Sequence, residues 1–577
     1  MNRICHYLCM LAIFFFPFIH VEGKKVNGWI LLSDNMEYAS HTIKAAKEYG
    51  INQLQLSHNI IHNLKEIRDE QVCNKVHALI DKAHQEGINE VLLWDHCLYS
   101  LDYYPDRFKM KESGLLDFDN PAFWNWLKAD YRQMLHLVEK ADGLILTFIE
   151  TGAYAEKQHS DKMKTDAEKL AAVVNAVADV VVGEFNKKLY IRTFAYSERE
   201  YQNILGCINR LNRDDIILMM KETPHDFFLT HPNNKYVGKI NRPTIVEFDT
   251  GNEYNGQGVI ANTWPEYVMK RWAAFSQFSN VIGYAARTDR YGNTSIVGTA
   301  NEILLYALKR QSENPKITPN QVYDEFILQE YGKKALPYLK KAFMKSFDIV
   351  TSILYTLGIN TAEHSSLNYA DYAWSYCRHV PGRWVNPPIG YVGHNVNQTF
   401  DYWRDVVNHI APVKFKRRSS VCYQEIMDVF DKGWIDGEER MDATYYKYIV
   451  TEKRYGVQLA KEALAEIEHV KKLLPIEKYN RLYQLFERTY LTAQLHEAVC
   501  SVYFGDRVLH GLDSSQSYEI KQEIQAALGR MEHVIKQIQE KKETYPIGQF
   551  DWGRDADIAF KSYLLPAKSK SLPCLWQ

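Results

Sequence analysis

The sequence predicts an α/β fold, a closed (β/α)8 TIM barrel followed by a mainly α-helical C-terminal region. Eight short runs rich in β-branched and aromatic residues recur between residues 28 and 289, each ending in polar side chains. Helical patterns lie between most of them. Beyond about residue 298 the short runs stop and longer helical patterns take over.

In order, the runs are GWILLSDN (28–35), INQLQLSHN (51–59), INEVLLWDH (88–96) and DGLILTFIE (142–150). KLYIRTFAY (188–196), DIILMMKE (215–222), TIVEFDTG (244–251) and NVIGYAARTD (280–289) follow. MEYASHTIKAAKEYG and AEKLAAVVNAVADVVVGEF read as helices between them, with Gly50 and Gly87 placed to stop helices before the next strand. Eight strand–helix units over this length suit a closed barrel, which takes about 250 residues. A doubly wound sheet is the competing fold, but LLSDNMEYAS after the first run has no glycine fingerprint for a dinucleotide.

The later helical patterns are TANEILLYALKRQ, TPNQVYDEFILQEYG and LPYLKKAFMKSFDIVTSILYTLG, then NQTFDYWRDVVNHI and two long charged stretches ending near Glu543. Between them, residues 363–397 read as an irregular loop rich in Tyr, Trp, His and Pro. The expected organisation is a secretory signal over 1–23, a catalytic barrel over 24–305 and a helical region over 306–577. The helical region is the expected contact of a homodimer.

MNRICHYLCMLAIFFFPFIHVEG supplies the signal reading. Arg3 precedes an apolar run from Tyr7 to about Ile19, which is short for a membrane span, and polar and small residues follow at Glu22 and Gly23. An N-terminal anchor is the alternative. The expected location is therefore periplasmic or secreted, with no membrane span after signal removal. Nine cysteines, two of them in the signal, do not make a disulfide scaffold, and no Cys or His pair has zinc spacing. No cofactor or metal is expected. Charged residues at 24% and a net charge of −2 give no sign of nucleic-acid binding. Aromatics at 13% fit either sugar stacking or a large, well-packed core.

In a barrel of this kind the active site lies at the C-terminal ends of the strands. Those ends carry Asp95 and His96, Glu150, Tyr196, Lys221, Glu247 through Glu253, and Arg287. Acids, amides and bases on one rim point to a polar ligand. Glycoside hydrolysis needs one carboxyl group to protonate the leaving oxygen and a second to activate water or attack carbon. Glu150 follows an apolar run, so burial there is expected to favour the protonated form that an acid needs. Asp226 and Glu253 follow adjacent strands and are expected to meet at one water. Arg192 and Lys221 could balance these acids or hold a substrate carboxylate. Asn252 and Tyr254 could orient water or sugar hydroxyls.

At these residues the chain resembles the family 67 glycoside hydrolases, the α-glucuronidases that act on xylan side chains. The matching pieces are ADGLILTFIETG, LYIRTFAY, IILMMKETPHDF, EFDTGNEYNGQG and NVIGYAARTDRYGNTSIVGTANEILLYALKR, in the family's order over about residues 140–330. The resemblance implies an inverting reaction with Glu150 as general acid and Asp226 and Glu253 beside the water. It also implies that Arg192 and Lys221 contact a sugar carboxylate. A further family contact, a lysine four residues before the acid, is Leu146 here. The substrate expected is an oligosaccharide or polysaccharide of plant or host origin, either uronic-acid-bearing or built on another sugar. Two other readings stand beside this one: a retaining glycosidase with Glu150 as acid/base and Glu253 as nucleophile, and a non-catalytic glycan-binding barrel.

Overall fold

All eight expected strands form and close on one another. The computed structural model describes residues 26–195, 198–224, 226–229, 233–290, 295–356, 359–360, 365–367, 443–509, 514–542 and 553–569. The signal segment, Tyr196, nearly all of the aromatic-rich stretch and the helical pattern from Asn397 lie outside these residues.

The strands are β1 (Val26–Leu31), β2 (Gln53–Leu56), β3 (Glu90–His96), β4 (Gly143–Thr147), β5 (Lys188–Arg192), β6 (Ile217–Lys221), β7 (Thr244–Phe248) and β8 (Val281–Arg287). Each pairs in parallel with the next, and β8 returns to β1 with Gly28 opposite Ala285. At that seam a side chain on Gly283 would collide with the Val26 carbonyl, so only glycine lets the two backbones approach. Asp289, just past β8, completes the closure by accepting from the Leu32 and Ser33 amides at 3.0 and 2.9 Å.

The barrel helices are α1 (Met36–Ala46), α2 (Glu70–Gln85), α3 (Pro121–Leu137), α4 (Asp166–Ala178), α5 (Glu198–Ile208), α6 (Pro265–Ser276) and α7 (Ile303–Glu313). They start where their sequences offer caps. Asn35, Asp69 and Asn120 accept from first-turn amides, and Thr165 and Glu168 form a reciprocal capping box. Gly50 and Gly87, at φ +64° and +87°, end the first two helical segments as their positions predict. No helix occurs among the described residues between β6 and β7.

Then come α8 (Pro319–Tyr331), α9 (Leu336–Phe343), α10 (Ser346–Ile353), α11 (Ala443–His469), α12 (Ile476–Leu509), α13 (Ser514–Lys541) and α14 (Gly553–Ala559). The pattern over 336–358 predicts one helix, but α9 and α10 are separate. Ser346 explains the turn: its hydroxyl donates to the Phe343 carbonyl at 2.9 Å and accepts from the Thr263 amide at 3.0 Å, drawing the chain toward the start of α6. The barrel core continues into α9, α10 and the near halves of α11 and α12, where Phe343 stacks on Phe486 with centroids 5.9 Å apart. The far halves of α11 and α12 form a second core with α13 and α14. No helix among the described residues is long and apolar enough to cross a membrane.

Candidate active site

Successive strand side chains point to opposite faces, so residues two apart share the barrel interior. Trp94, Tyr190, Met219, Ile245 and Ala285 fill that interior. Two residues beyond four of them, toward the C-terminal end, stand Arg192, Lys221, Glu247 and Arg287, all buried. The apolar filling thus gives way to a charged layer one step higher.

The cations of this layer alternate with aromatic rings. The Arg192 guanidinium lies 4.7 Å from the Trp94 ring centre and 4.9 Å from that of Phe194. Lys221 Nζ lies 3.4 Å from Phe194 and 4.1 Å from Phe227, and Arg287 lies 4.8 Å from Phe227. Ring faces carry partial negative charge and hold cations without neutralising them.

Glu247 sits at the centre. It accepts from Arg192 Nε at 2.7 Å, from Arg192 Nη2 at 3.0 Å and from Arg287 Nη2 at 3.0 Å. Burial pushes its carboxyl up, but the two arginines outweigh burial and hold it at about 2. Arg287 also donates Nη1 to Glu253 Oε2 at 2.7 Å, and Arg290 Nη2 donates to the other Glu253 oxygen. Asp226 accepts from Lys221 Nζ at 2.6 Å and from the Tyr254 hydroxyl at 2.7 Å. Burial lowers Lys221, while Asp226 works against that shift. Four cations therefore face three carboxylates in a largely dry mouth.

The sequence-predicted residues Asp226, Glu253, Arg192, Lys221, Glu247, Tyr254 and Arg287 come together here. Other expectations need correction. Asp95 faces out of the barrel, one position off the inward register of Trp94 and His96. It accepts from the Leu64 amide at 2.9 Å, Tyr99 at 3.0 Å and Tyr131 at 2.6 Å, a structural anchor beneath α3 and not a substrate contact. Asn252 adopts φ +59° and spends its amide on the Thr250 carbonyl at 2.8 Å, so it shapes the loop. Glu150 lies beyond β4 on an exposed loop position with φ +61°, so the burial expected from its apolar approach is absent.

His96 does face inward. Its Nδ1 lies 2.7 Å from the His62 carbonyl, which can only accept, so Nδ1 carries the proton and Nε2 is left as an acceptor. Nε2 is buried and has no hydrogen-bond partner among the described residues. Burial pushes the ring down to about 3, which keeps it neutral.

Sequence reasoning missed Arg290, Phe194, Phe227, Tyr355 and Ser365. Arg290 lies three residues past Arg287, beyond the strand run. Tyr355 donates to Asn255 at 2.7 Å and accepts from the Leu229 amide at 3.0 Å, tying the loops after β6 and β7. Ser365 donates to the Glu253 carbonyl at 2.9 Å and accepts from the Gly256 amide at 2.7 Å. The helical region thus helps to set the Glu253 loop, which no local pattern signals. Positive φ at His58, Glu150, Asn252, Gln257 and Ser365 also gathers at this end of the barrel, as strained backbone does at functional sites.

One group of potential metal ligands exists among the described residues, Asp117, Asp119 and His159. Asp119 already accepts from Ser160 Oγ at 2.7 Å and the Asp161 amide at 2.5 Å, the bonds of a loop clamp.

No protein-family model and no curated protein matches the chain. Among solved structures it is similar to a GH138 enzyme targeting pectin rhamnogalacturonan II, with a TM-score of 0.55 at 11% identity. That match covers 93% of this chain and 64% of the other, so this chain spans less than two thirds of its length. A mutant of the Thermobaculum terrenum O-GlcNAc hydrolase matches at a TM-score of 0.45 and 10% identity, covering 95% of this chain and 98% of that one. CpGH84B matches at 0.44 and 12%, covering 88% and 74%. The likeness to the GH138 enzyme is one of fold, the TIM barrel. It does not carry the narrower resemblance to family 67.

Proposed function

We propose that the chain is a glycoside hydrolase that acts on an acidic glycan. The observation that carries this reading is that two buried carboxylates, Asp226 and Glu253, stand on the loops after adjacent strands β6 and β7, each held by a cation of the same charged layer. Four buried cations, Arg192, Lys221, Arg287 and Arg290, line the same mouth. Asp226 and Glu253 activate the attacking water, and Glu150 protonates the leaving oxygen from the loop after β4. Tyr254 orients Asp226. Arg192 retains Nη1 without a hydrogen-bond partner among the described residues. With Lys221 beside it, that donor suits a sugar carboxylate, which arginine binds through a planar fork. The pectin-targeting activity named for the GH138 enzyme is compatible with an acidic sugar here. The signal-like N-terminal sequence supports a periplasmic or secreted location, which N-terminal sequencing of exported protein would check.

A second reading rests on one specific observation. Both Glu253 oxygens already accept from arginines, which suits a carboxylate that attacks carbon better than one that takes up a proton. In that case Glu253 is the nucleophile of a retaining enzyme and Glu150 its acid/base. Proton NMR of the first anomer released from uronic-acid-bearing oligosaccharides separates the two. The inverted anomer supports water activation, and the retained anomer supports a covalent intermediate. No product from any acidic or neutral glycan, with protein folded, would leave a binding barrel.

A further inference from the structure

Behind Glu253 lies a second pair of carboxyl groups that the reaction above does not use. Asp249, the residue after β7, is 8% exposed, and its Oδ2 accepts from the Glu253 amide at 2.7 Å. Its own amide donates to Glu222 Oε1 at 3.1 Å. Glu222 follows β6 and is 6% exposed. A side chain on Gly251 would collide with the Asp289 carbonyl, so the Asp249–Glu253 turn is pressed against the end of β8.

Between these groups is a cavity of about 20 Å³, lined by Glu222, Thr223, Asp249, Thr250 and Asn252 among others. A water needs about 10–15 Å³ and two to four polar partners. Asp249 Oδ1, Glu222 Oε2 and Thr223 Oγ1 supply three: all are buried and have no hydrogen-bond partner among the described residues. Glu222 Oε2 has only the Arg271 guanidinium at 3.4 Å, and leaving Asp249 Oδ1 and Thr223 Oγ1 bare is costly, so a water in this cavity would satisfy them.

We propose that Asp249 is a positioning residue for Glu253, and that it shares one proton with Glu222 through a water held in this cavity. The role rests on the reading of Glu253 as a site carboxylate; the proton-sharing does not.

The charged surroundings favour a single proton on the pair. Arg287 faces Asp249 from β8, Glu253 from its own loop and Glu222 from the end of β6. Tyr267 faces it from α6, and Arg271 on the same helix lies 3.4 Å from Glu222 Oε2. Lys221 and Glu247 act on Glu222 from the barrel side. Arg287 is already committed to Glu247 and Glu253, so it cannot fully serve a third carboxylate. Burial, more than any neighbour, pushes both carboxyls up, Asp249 to about 7.

With the proton in place, Asp249 is neutral and leaves Arg287 to Glu253. When the proton leaves for bulk buffer, a second negative charge appears one turn from Glu253 and competes for Arg287. Deprotonation near neutral pH thus loosens the site carboxylate from behind.

The folded state holds this proton more tightly than the unfolded chain, where an aspartate titrates near 3.8. The stability it contributes is complete below about pH 4 and is lost as pH rises through about 7. Asp249→Asn keeps an acceptor for the Glu253 amide but cannot ionise. Thermal unfolding of the full chain between about pH 5 and pH 8 is expected to show a fall in Tm for the natural protein that Asp249→Asn at least halves. The infrared carbonyl band of a buried protonated carboxyl should weaken in the same variant. Superimposable Tm–pH curves overturn the proposal. If Asp249→Asn does not fold, Glu222→Gln decides: the remaining carboxyl titration should move by about one pH unit or more, and an unmoved titration overturns the sharing. Neither readout needs a substrate, so a protein without hydrolytic activity fails the functional reading while leaving this test intact.

Discussion

Arg192 donates two hydrogen bonds to Glu247, Nε to Oε2 at 2.7 Å and Nη2 to Oε1 at 3.0 Å, and neither side chain is more than 3% exposed. The two residues sit on β5 and β7, so the pair reaches across β6 inside the barrel. Arg287 closes the other side of Glu247 from β8. One carboxylate therefore organises two of the mouth's four cations.

Removing that carboxylate should be severe. Glu247→Ala leaves Arg192 and Arg287 buried with a partner missing, which costs ~3–5 kcal/mol in such pairs. Urea unfolding with an unchanged slope would measure it. A loss below ~1 kcal/mol would mean that the aromatic rings alone can hold these cations.

The acid limb of stability follows from the same pair. Glu247 is held at about 2 when folded, against an ordinary 4.5. Its contribution is complete above about pH 4.5 and is lost as pH falls toward 2, an effect of roughly 3 kcal/mol at 1.36 kcal/mol per unit. Glu247→Gln removes the titration. Its stability should fall less steeply than the natural protein's between about pH 4.5 and pH 2; equal slopes would refute the assignment.

Most of the barrel is legible in the sequence because each strand is a short β-branched or aromatic run with polar residues at its end. The inward ring is legible in part. Ile245 and Glu247 share a face by alternation alone, and so do Met219 and Lys221. What alternation cannot supply is which parity faces inward, and Asp95 shows the cost: one position from His96, it points to α3. The partners within the ring depend on strand stagger, so neither the reach of Arg192 across β6 nor the double use of Arg287 is visible in local patterns. Glu150 misleads for another reason. An apolar approach buries a strand, but three residues past its end the chain has already turned to solvent. Ser365 and Tyr355 act on the Glu253 loop from over a hundred residues away in sequence, through a tertiary contact with no local signature.

The linkage between helical region and site gives a further expectation. Lys453 of α11 is fully buried and donates Nζ to the carbonyls of Ser352 at 2.9 Å and Tyr355 at 2.6 Å. A cation suits the negative end of α10. Lys453→Met would strand both carbonyls and is expected to destabilise by ~1–3 kcal/mol. Tyr355→Phe, by contrast, removes only the hydroxyl that joins the loops after β6 and β7. It should lower turnover more than it lowers the unfolding midpoint; parallel losses would make Tyr355 a packing residue only.

Glu150 separates chemistry from stability most sharply. As the proposed acid it should matter most when the leaving group is poor. Glu150→Gln is expected to cut turnover on such substrates by ~10²–10⁴ and much less on an activated aryl glycoside. Equal losses on both would argue against proton donation. Its backbone offers an independent reading. At φ +61° a glutamate occupies the left-handed region, which glycine adopts without steric penalty. Glu150→Gly should therefore gain up to ~1 kcal/mol in urea unfolding while losing turnover on poor leaving groups. If that gain is seen, a strained residue is kept where a relaxed one is more stable, as a functional role predicts. A loss of stability in Glu150→Gly would mean that the carboxylate holds the loop after β4 in place, and the case for Glu150 as the acid would then rest on the leaving-group comparison alone.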